Sequence, residues 1–263
     1  MVRRPSPVLS SAPRRRRIGP ATIAVGVPLV ALAYFLAAPA LPALPAGDTE
    51  VLVAGGIGLL LVAATTLSLL PARDTVAGPL LIVLGTGLLA GALNAAHVGA
   101  GANVAEIMLA AAVGLLFARF LRVGSIALAV PLFVAVIDVW SVASGPTSRL
   151  LAAGTPPDDP LSFDIPAWGG GASAGHLGVS DAIFVAMFAA WAWHFGFRRA
   201  ATAAGIVLGL LASLVLSVVF DRAIPAIPLL AIGYLLPNLD RIGALLSDGD
   251  GDEPEPEPEP ASD

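Results

Sequence analysis

The chain has 263 residues, of which 57% are hydrophobic and only 13% are charged. Soluble domains are about 45–50% apolar and about 25% charged, so this composition excludes an ordinary soluble enzyme and indicates a membrane protein. The formal net charge of −5 hides an uneven distribution, because eight of the 19 acids lie in the last 16 residues and six of the 14 basic residues lie in the first 17. The absence of cysteine excludes disulfides, thiolate metal sites and cysteine nucleophiles.

Eight stretches are apolar enough to cross a bilayer, which takes about 20 mostly apolar residues in a helix. In chain order they are Ile18–Leu41, Val51–Leu70, Val76–Ala96, Val104–Leu121, Val123–Ala143, Gly178–Phe195, Ala200–Phe220 and Ile224–Leu239. The fourth and eighth stretches are short. We predict an all-α, polytopic integral membrane bundle of about eight transmembrane helices.

The composition divides the chain into four parts. Residues 1–17 form a basic segment expected in the cytoplasm, and residues 18–121 form an N-terminal half with four helices. Residues 122–246 form the C-terminal half, which contains a long external connection at residues 144–177. Residues 247–263 carry a Glu-Pro repeat whose charges repel one another, which predicts a disordered acidic tail.

The arginines give the orientation, because cytoplasmic loops are rich in basic residues. All 14 basic residues are arginine, and eight crossings from a cytoplasmic N-terminus place 12 of them inside and two outside. Both termini are then cytoplasmic, and we expect the plasma membrane of a prokaryote. The first stretch could instead be a signal peptide, although its apolar run is longer than the usual 7–15 residues.

A carboxylate inside a spanning segment is costly and is by default a functional hypothesis. Glu106, Asp221 and Asp240 lie at helix ends, where an interfacial or paired carboxylate explains each. Asp138 and Asp181 differ, because they lie inside consecutive segments with no basic residue beside them. At 1.5 Å per residue, both are about 5–12 Å from the outer ends of their helices.

Two carboxyl groups a few ångströms apart cannot both ionise easily, so one can accept a proton while the other donates one. Such a pair can hydrolyse a peptide bond without a metal or a covalent intermediate. The three histidines are scattered, which makes a metal site improbable, and we expect no cofactor and no nucleic acid partner.

Three local sequences resemble the presenilin and signal peptide peptidase family of intramembrane aspartyl proteases. They are Ile137-Asp138, Gly178-Val-Ser-Asp181 and Pro225-Ala-Ile-Pro228, which match in order the family's Tyr-Asp, Gly-x-Gly-Asp and Pro-Ala-Leu motifs. The resemblance covers about residues 123–238. Ile137 stands where the family has tyrosine, Ser180 where it has glycine, and Ile227 where it has leucine. The family usually has nine spans, against eight here.

The resemblance implies an endopeptidase that cuts transmembrane segments of other proteins, with Asp138 and Asp181 as the catalytic dyad. The residues that it implies for substrate binding are Gly178, Ser180, Pro225, Ala226, Ile227 and Pro228. The loop between the two catalytic helices lies outside in our topology, as in signal peptide peptidase. Leftover signal peptides and other segments with a cytoplasmic N-terminus are then the expected substrates.

Other interpretations stay open at this point. Intramembrane acids also mark the ion paths of transporters and channels, and broken helices line their substrate sites. A family member that has lost activity could bind membrane helices without cutting them. Prepilin peptidase also carries a Gly-x-Gly-Asp motif, but this chain lacks its cysteine-rich cytoplasmic loop.

Overall fold

The computed structural model describes residues 19–145, 162–170 and 173–249. The predicted basic segment 1–17, the central part of the external connection and residues 250–263 of the predicted tail lie outside the described residues.

The described chain is a bundle of helices with one small sheet. The helices are α1 (Pro20–Ala37), α2 (Asp48–Glu50), α3 (Gly56–Ser68), α4 (Ala77–Ala95), α5 (Gly99–Phe120), α6 (Gly124–Ser144), α7 (Val179–His194), α8 (Arg199–Val219), α9 (Ile227–Leu235) and α10 (Leu239–Gly249). A π-helical turn at Val51–Gly55 joins α2 to α3, and a 3₁₀ turn at Leu236–Asn238 joins α9 to α10. The strands are β1 (Ser162–Ile165) and β2 (Gly175–Gly178).

Seven helical segments of the described chain are long and apolar enough to cross a membrane, and α7 is a shorter apolar helix of 16 residues. This confirms the predicted all-α membrane bundle. The fourth and eighth segments are longer than predicted: α5 begins at Gly99, and the last helix continues through α10. The predicted eighth segment ends at Leu239 because charged residues follow it. The helix nevertheless continues, because Asp240 pairs with Arg198 at 2.6 Å.

Helix α7 lies at the centre of the bundle. It packs against α3, α5, α8 and α9, and its residues from Val185 to Ala192 are all buried. A Cβ atom on Gly114 of α5 would meet the carbonyl oxygen of Ile183, so glycine permits the close approach of α5 to α7. A central helix needs less length than a lipid-facing one, because protein covers its ends.

Glycines also bring α8 and α9 together. A Cβ atom on Gly205 would meet the backbone of Gly233, and one on Gly233 would meet the backbone of Gly205. A Cβ atom on Gly209 would lie 2.6 Å from the carbonyl oxygen of Leu229. Phe188 of α7 stacks on Tyr234 of α9, with ring centroids 4.9 Å apart. These contacts fix α9 between α7 and α8.

Helix α6 is peripheral. It packs against α9 and α10, and most of its surface is apolar and exposed, including Phe133, Val136 and Trp140. In a bilayer this surface faces lipid. The helix therefore presents one face to α9 and leaves the others open.

The two strands are a feature that the sequence analysis did not predict. They pair antiparallel within the connection between α6 and α7, with Asp164 opposite His176. The Nδ1 atom of His176 lies 2.6 Å from Oδ1 of Asp164. Phe163 and Ile165 point into the core, which anchors the sheet on the bundle at the start of α7.

Candidate active site

Asp138 lies on the face of α6 that meets α9. Its Oδ2 atom accepts a hydrogen bond of 3.0 Å from the backbone N–H of Ile227. Ile227 is the first residue of α9 and lies in the Pro225–Pro228 segment. The first N–H groups of a helix have no partner inside the helix, so this carboxylate satisfies a donor that would otherwise be free. The Ile137-Asp138 motif and the Pro225–Pro228 motif are therefore in direct contact.

Asp181 is the third residue of α7 and is buried, with 9% of its surface exposed. Its carboxylate accepts a hydrogen bond from the backbone of Gly178, which caps the helix. An acid at this position often bonds back to the cap residue in this way. A Cβ atom on Gly178 would lie 3.3 Å from Oδ2 of Asp181, so glycine leaves this carboxylate room.

Asp181 lies within the range at which the charge of Asp138 acts on it. Helix α9 contacts both α6 and α7, so it is the element that joins the two acids. In the described part of the chain, neither carboxylate forms an ion pair with an arginine or a histidine. The arrangement is thus a pair of acids with no basic partner, and each acid is bound to a backbone N–H.

A cleft of about 410 Å³ lies next to Asp138, toward the end of α6. One wall is the last part of α6, from Val139 to Ala143, and the other is the segment Arg222–Pro225 before α9. The N–H of Ile224 donates to Oγ of Ser217 at 3.1 Å, which ties this segment to α8. The cleft thus begins at the residue that follows Asp138 on α6 and at the residues that precede Ile227.

The other residues that the sequence predicted for the site take different positions. Ile227 is buried, and Pro225, Ala226 and Pro228 are partly buried around it. Ser180, which stands where the family has glycine, is exposed among the described residues. Ile137 is 43% exposed beside Asp138, on the open surface of α6.

Sequence reasoning missed two features next to the site. The first is strand β2, which ends at Gly178 and leads directly into α7. The alternation of buried Phe163 and Ile165 with less buried neighbours is a strand signal, but it extends over only four residues. The second is the N–H of Ile227, which no side-chain pattern could show.

Within the described residues, no group of three or more His, Asp or Glu side chains lies close enough to hold a metal ion. Comparisons of the chain with protein-family models, with curated proteins and with solved structures find no match.

Proposed function

We propose that the protein is an intramembrane aspartyl endopeptidase with Asp138 and Asp181 as its dyad. The observation that carries the proposal is the hydrogen bond from the N–H of Ile227 to Asp138, which joins the first and third motifs. The buried Asp181 of the second motif lies near enough to Asp138 to feel its charge, which supports the same site. The resemblance to the presenilin and signal peptide peptidase family supports the same function.

In this mechanism one carboxylate takes a proton from a water molecule while the water oxygen attacks the scissile carbonyl carbon. The other carboxyl group, in its acid form, donates its proton to the carbonyl oxygen. The two groups then exchange roles as the tetrahedral intermediate collapses: the carboxyl group that took the proton from water gives it to the leaving nitrogen, and the other carboxylate takes a proton from one hydroxyl of the intermediate. The carbon–nitrogen bond breaks, a new carboxylic acid forms, and the dyad returns to its starting protonation state.

The substrate is a transmembrane helix of another protein, and it approaches from the lipid. A helix keeps its backbone hydrogen bonds internal in the bilayer, so it must unwind locally before a peptide bond can react. The exposed surface of α6 and the cleft beside Asp138 give a lateral path for such a segment. The Pro225–Pro228 segment lies where it can contact the unwound backbone.

The orientation is part of the proposal. The arginine distribution supports an orientation with both termini in the cytoplasm and the two aspartates toward the outer side. Substrates with a cytoplasmic N-terminus, such as leftover signal peptides in a prokaryotic plasma membrane, then have the polarity of substrates of signal peptide peptidase.

The test is cleavage of labelled transmembrane reporters, in both orientations, by the purified protein in liposomes. Wild type is expected to cut at least one reporter. Asp138→Asn and Asp181→Asn are expected to cut it about 10²- to 10⁴-fold more slowly, since each removes one acid–base group. Glu106→Gln is the matched control, because Glu106 is an acid on α5 that accepts a hydrogen bond from Asn94 and lies outside the site.

A wild type that cuts no reporter in either orientation would contradict the protease proposal. If the same liposomes then show an ion flux that Asp138→Asn abolishes, the transporter interpretation is correct instead. Normal cleavage by either Asn variant would show that the two acids do not act as a dyad. Circular dichroism of each variant checks that the helices are intact.

A further inference from the structure

A second polar site lies at the other end of the bundle, where α5 and α7 end and α8 begins. It is a pocket of about 350 Å³. Four arginines from three parts of the chain line it: Arg73, Arg119 and Arg122 at the end of α5, and Arg199. One acid, Asp74, also lines the pocket, but its side chain is 71% exposed and lies 3.5 Å from Nε of Arg73. The pocket therefore has a clear excess of positive charge.

An aromatic side chain holds two of these arginines in place. The guanidinium carbons of Arg73 and Arg199 lie 3.9 Å and 3.7 Å from the ring centroid of Trp193, so both stack on the indole. Nη1 of Arg73 also donates to the carbonyl oxygen of Leu70 at 2.8 Å. Positions fixed in this way cost little ordering free energy when a ligand binds.

The other two arginines are only weakly compensated, because the one acid whose charge acts on Arg122 is the exposed Asp74. Among the described residues, Arg119 and Arg122 form no ion pair. The Nε atom of Arg122 is buried and has no hydrogen-bond partner. Burial lowers the pKa of Arg122, and the neighbouring charge of Arg119 lowers that pKa further. A buried donor and two like charges without a partner are costly unless an anion completes the site.

The general excess of arginine at this end does not explain the pocket. Arg198 and Arg241 lie at the same end, and both are bound within the protein. Arg198 pairs with Asp240 at 2.6 Å, and Arg241 donates to the carbonyl oxygen of Gly196. A topology signal requires arginines on one side of the membrane, but it does not require four of them to converge on one cavity.

We propose that this pocket binds a phosphate group, either the headgroup of an anionic phospholipid or a soluble phosphate compound. Guanidinium groups match the oxygens of phosphate with paired hydrogen bonds, and basic pockets between transmembrane helices bind anionic headgroups. The site is separate from the aspartates, so it does not depend on the proposed protease activity.

The experiment has two arms with the full-length protein in phosphatidylcholine nanodiscs. In the first, phosphatidylglycerol is added and native mass spectrometry measures how much of it the protein retains. In the second, inorganic phosphate is titrated while tryptophan fluorescence is recorded. The test variants are Arg122→Gln and the double variant Arg119→Gln/Arg122→Gln. Arg241→Gln, at the same end but outside the pocket, is the control.

We expect wild type and Arg241→Gln to bind phosphatidylglycerol or inorganic phosphate in at least one arm. We expect the double variant to bind that ligand at least about ten-fold more weakly. Phosphatidylglycerol retention identifies a lipid ligand, and a response to inorganic phosphate alone identifies a soluble one. Removing charges that repel one another should leave the thermal stability of Arg122→Gln equal to or above that of wild type without phosphate. The absence of binding in both arms, or equal binding by the double variant, would overturn the proposal.

Discussion

At the scale of single residues, the contact that most determines the candidate site is the one between Asp138 and the N–H of Ile227. Helix α9 begins at Ile227, and the next residue, Pro228, has no N–H. The N–H of Ile227 is therefore the only backbone donor of the first two residues of the helix. Proline at this position also suits the first turn of a helix. The Pro-Ala-Ile-Pro sequence thus starts a helix and directs one free N–H toward a carboxylate.

An amide-to-ester substitution at Ile227, which replaces the N–H by oxygen and keeps the side chain, tests this contact. A hydrogen bond to a charged group contributes about 1.5–3 kcal/mol. If the bond orients Asp138 for catalysis, kcat/KM for a cleaved reporter should fall by about ten-fold or more. The same substitution at Ile232, within the same helix, is the control. An equal loss at both positions would show a general effect on the helix.

The two small residues near Asp181 should differ in their sensitivity to change. Gly178→Ala places a Cβ atom 3.3 Å from the carboxylate of Asp181, so cleavage should slow while the melting temperature stays close to that of wild type. Ser180→Gly should leave cleavage unchanged, because Ser180 is exposed. Reporter cleavage and thermal unfolding measure both. A large gain from Ser180→Gly would mean that the family glycine has a role that this geometry does not show.

At the scale of elements, the position of α9 depends on its glycine contacts with α8. Helix α9 contacts the helices of both aspartates, so a shift of α9 would disturb both. Gly233→Ala should therefore reduce stability and cleavage together, since overpacking at a close helix contact costs about 1–3 kcal/mol. Gly91→Ala on α4 is the matched control, because nothing lies within 4 Å of its Cβ position. Thermal unfolding in detergent should show a lower melting temperature for Gly233→Ala than for Gly91→Ala. Equal melting temperatures of the two variants would contradict the close-contact explanation.

Most of the elements could be predicted from the sequence, for a physical reason. A bilayer requires long apolar stretches, and these are visible in the sequence alone: the predicted ends of α4 and α6 each lie within one residue of the observed ends. Helix α10 was missed because Asp240 and Arg241 interrupt the apolar run, whereas the pairing that neutralises Asp240 is with Arg198, 42 positions away. The four-residue strands were missed because their pairing is likewise a tertiary contact.

At the scale of the whole molecule, the two ends of the bundle have opposite characters. One end carries the two aspartates, the small sheet and the cleft, and the other carries the arginine pocket. The sequence predicted which arginines share an end, because each crossing reverses the chain. It did not predict that four of them would surround one cavity, because convergence depends on how the helices pack.

The topology makes a last prediction that the chain is well suited to test, because it contains no cysteine. Single cysteines can be introduced at exposed positions of known end: Ala96→Cys beside α4, Thr75→Cys before α4, and Ser247→Cys near the end of α10. In intact cells, a membrane-impermeant maleimide should label only Ala96→Cys. Thr75→Cys and Ser247→Cys should react only after the cells are permeabilised, since both lie at the arginine-rich end, which the excess of basic residues predicts to be cytoplasmic. Labelling of Thr75→Cys in intact cells would show that the bundle has the opposite orientation in the membrane. The aspartates would then lie toward the cytoplasm, and the expected substrates would be segments of the opposite orientation. Labelling of Ser247→Cys without labelling of Thr75→Cys would instead mean an odd number of crossings between these two positions.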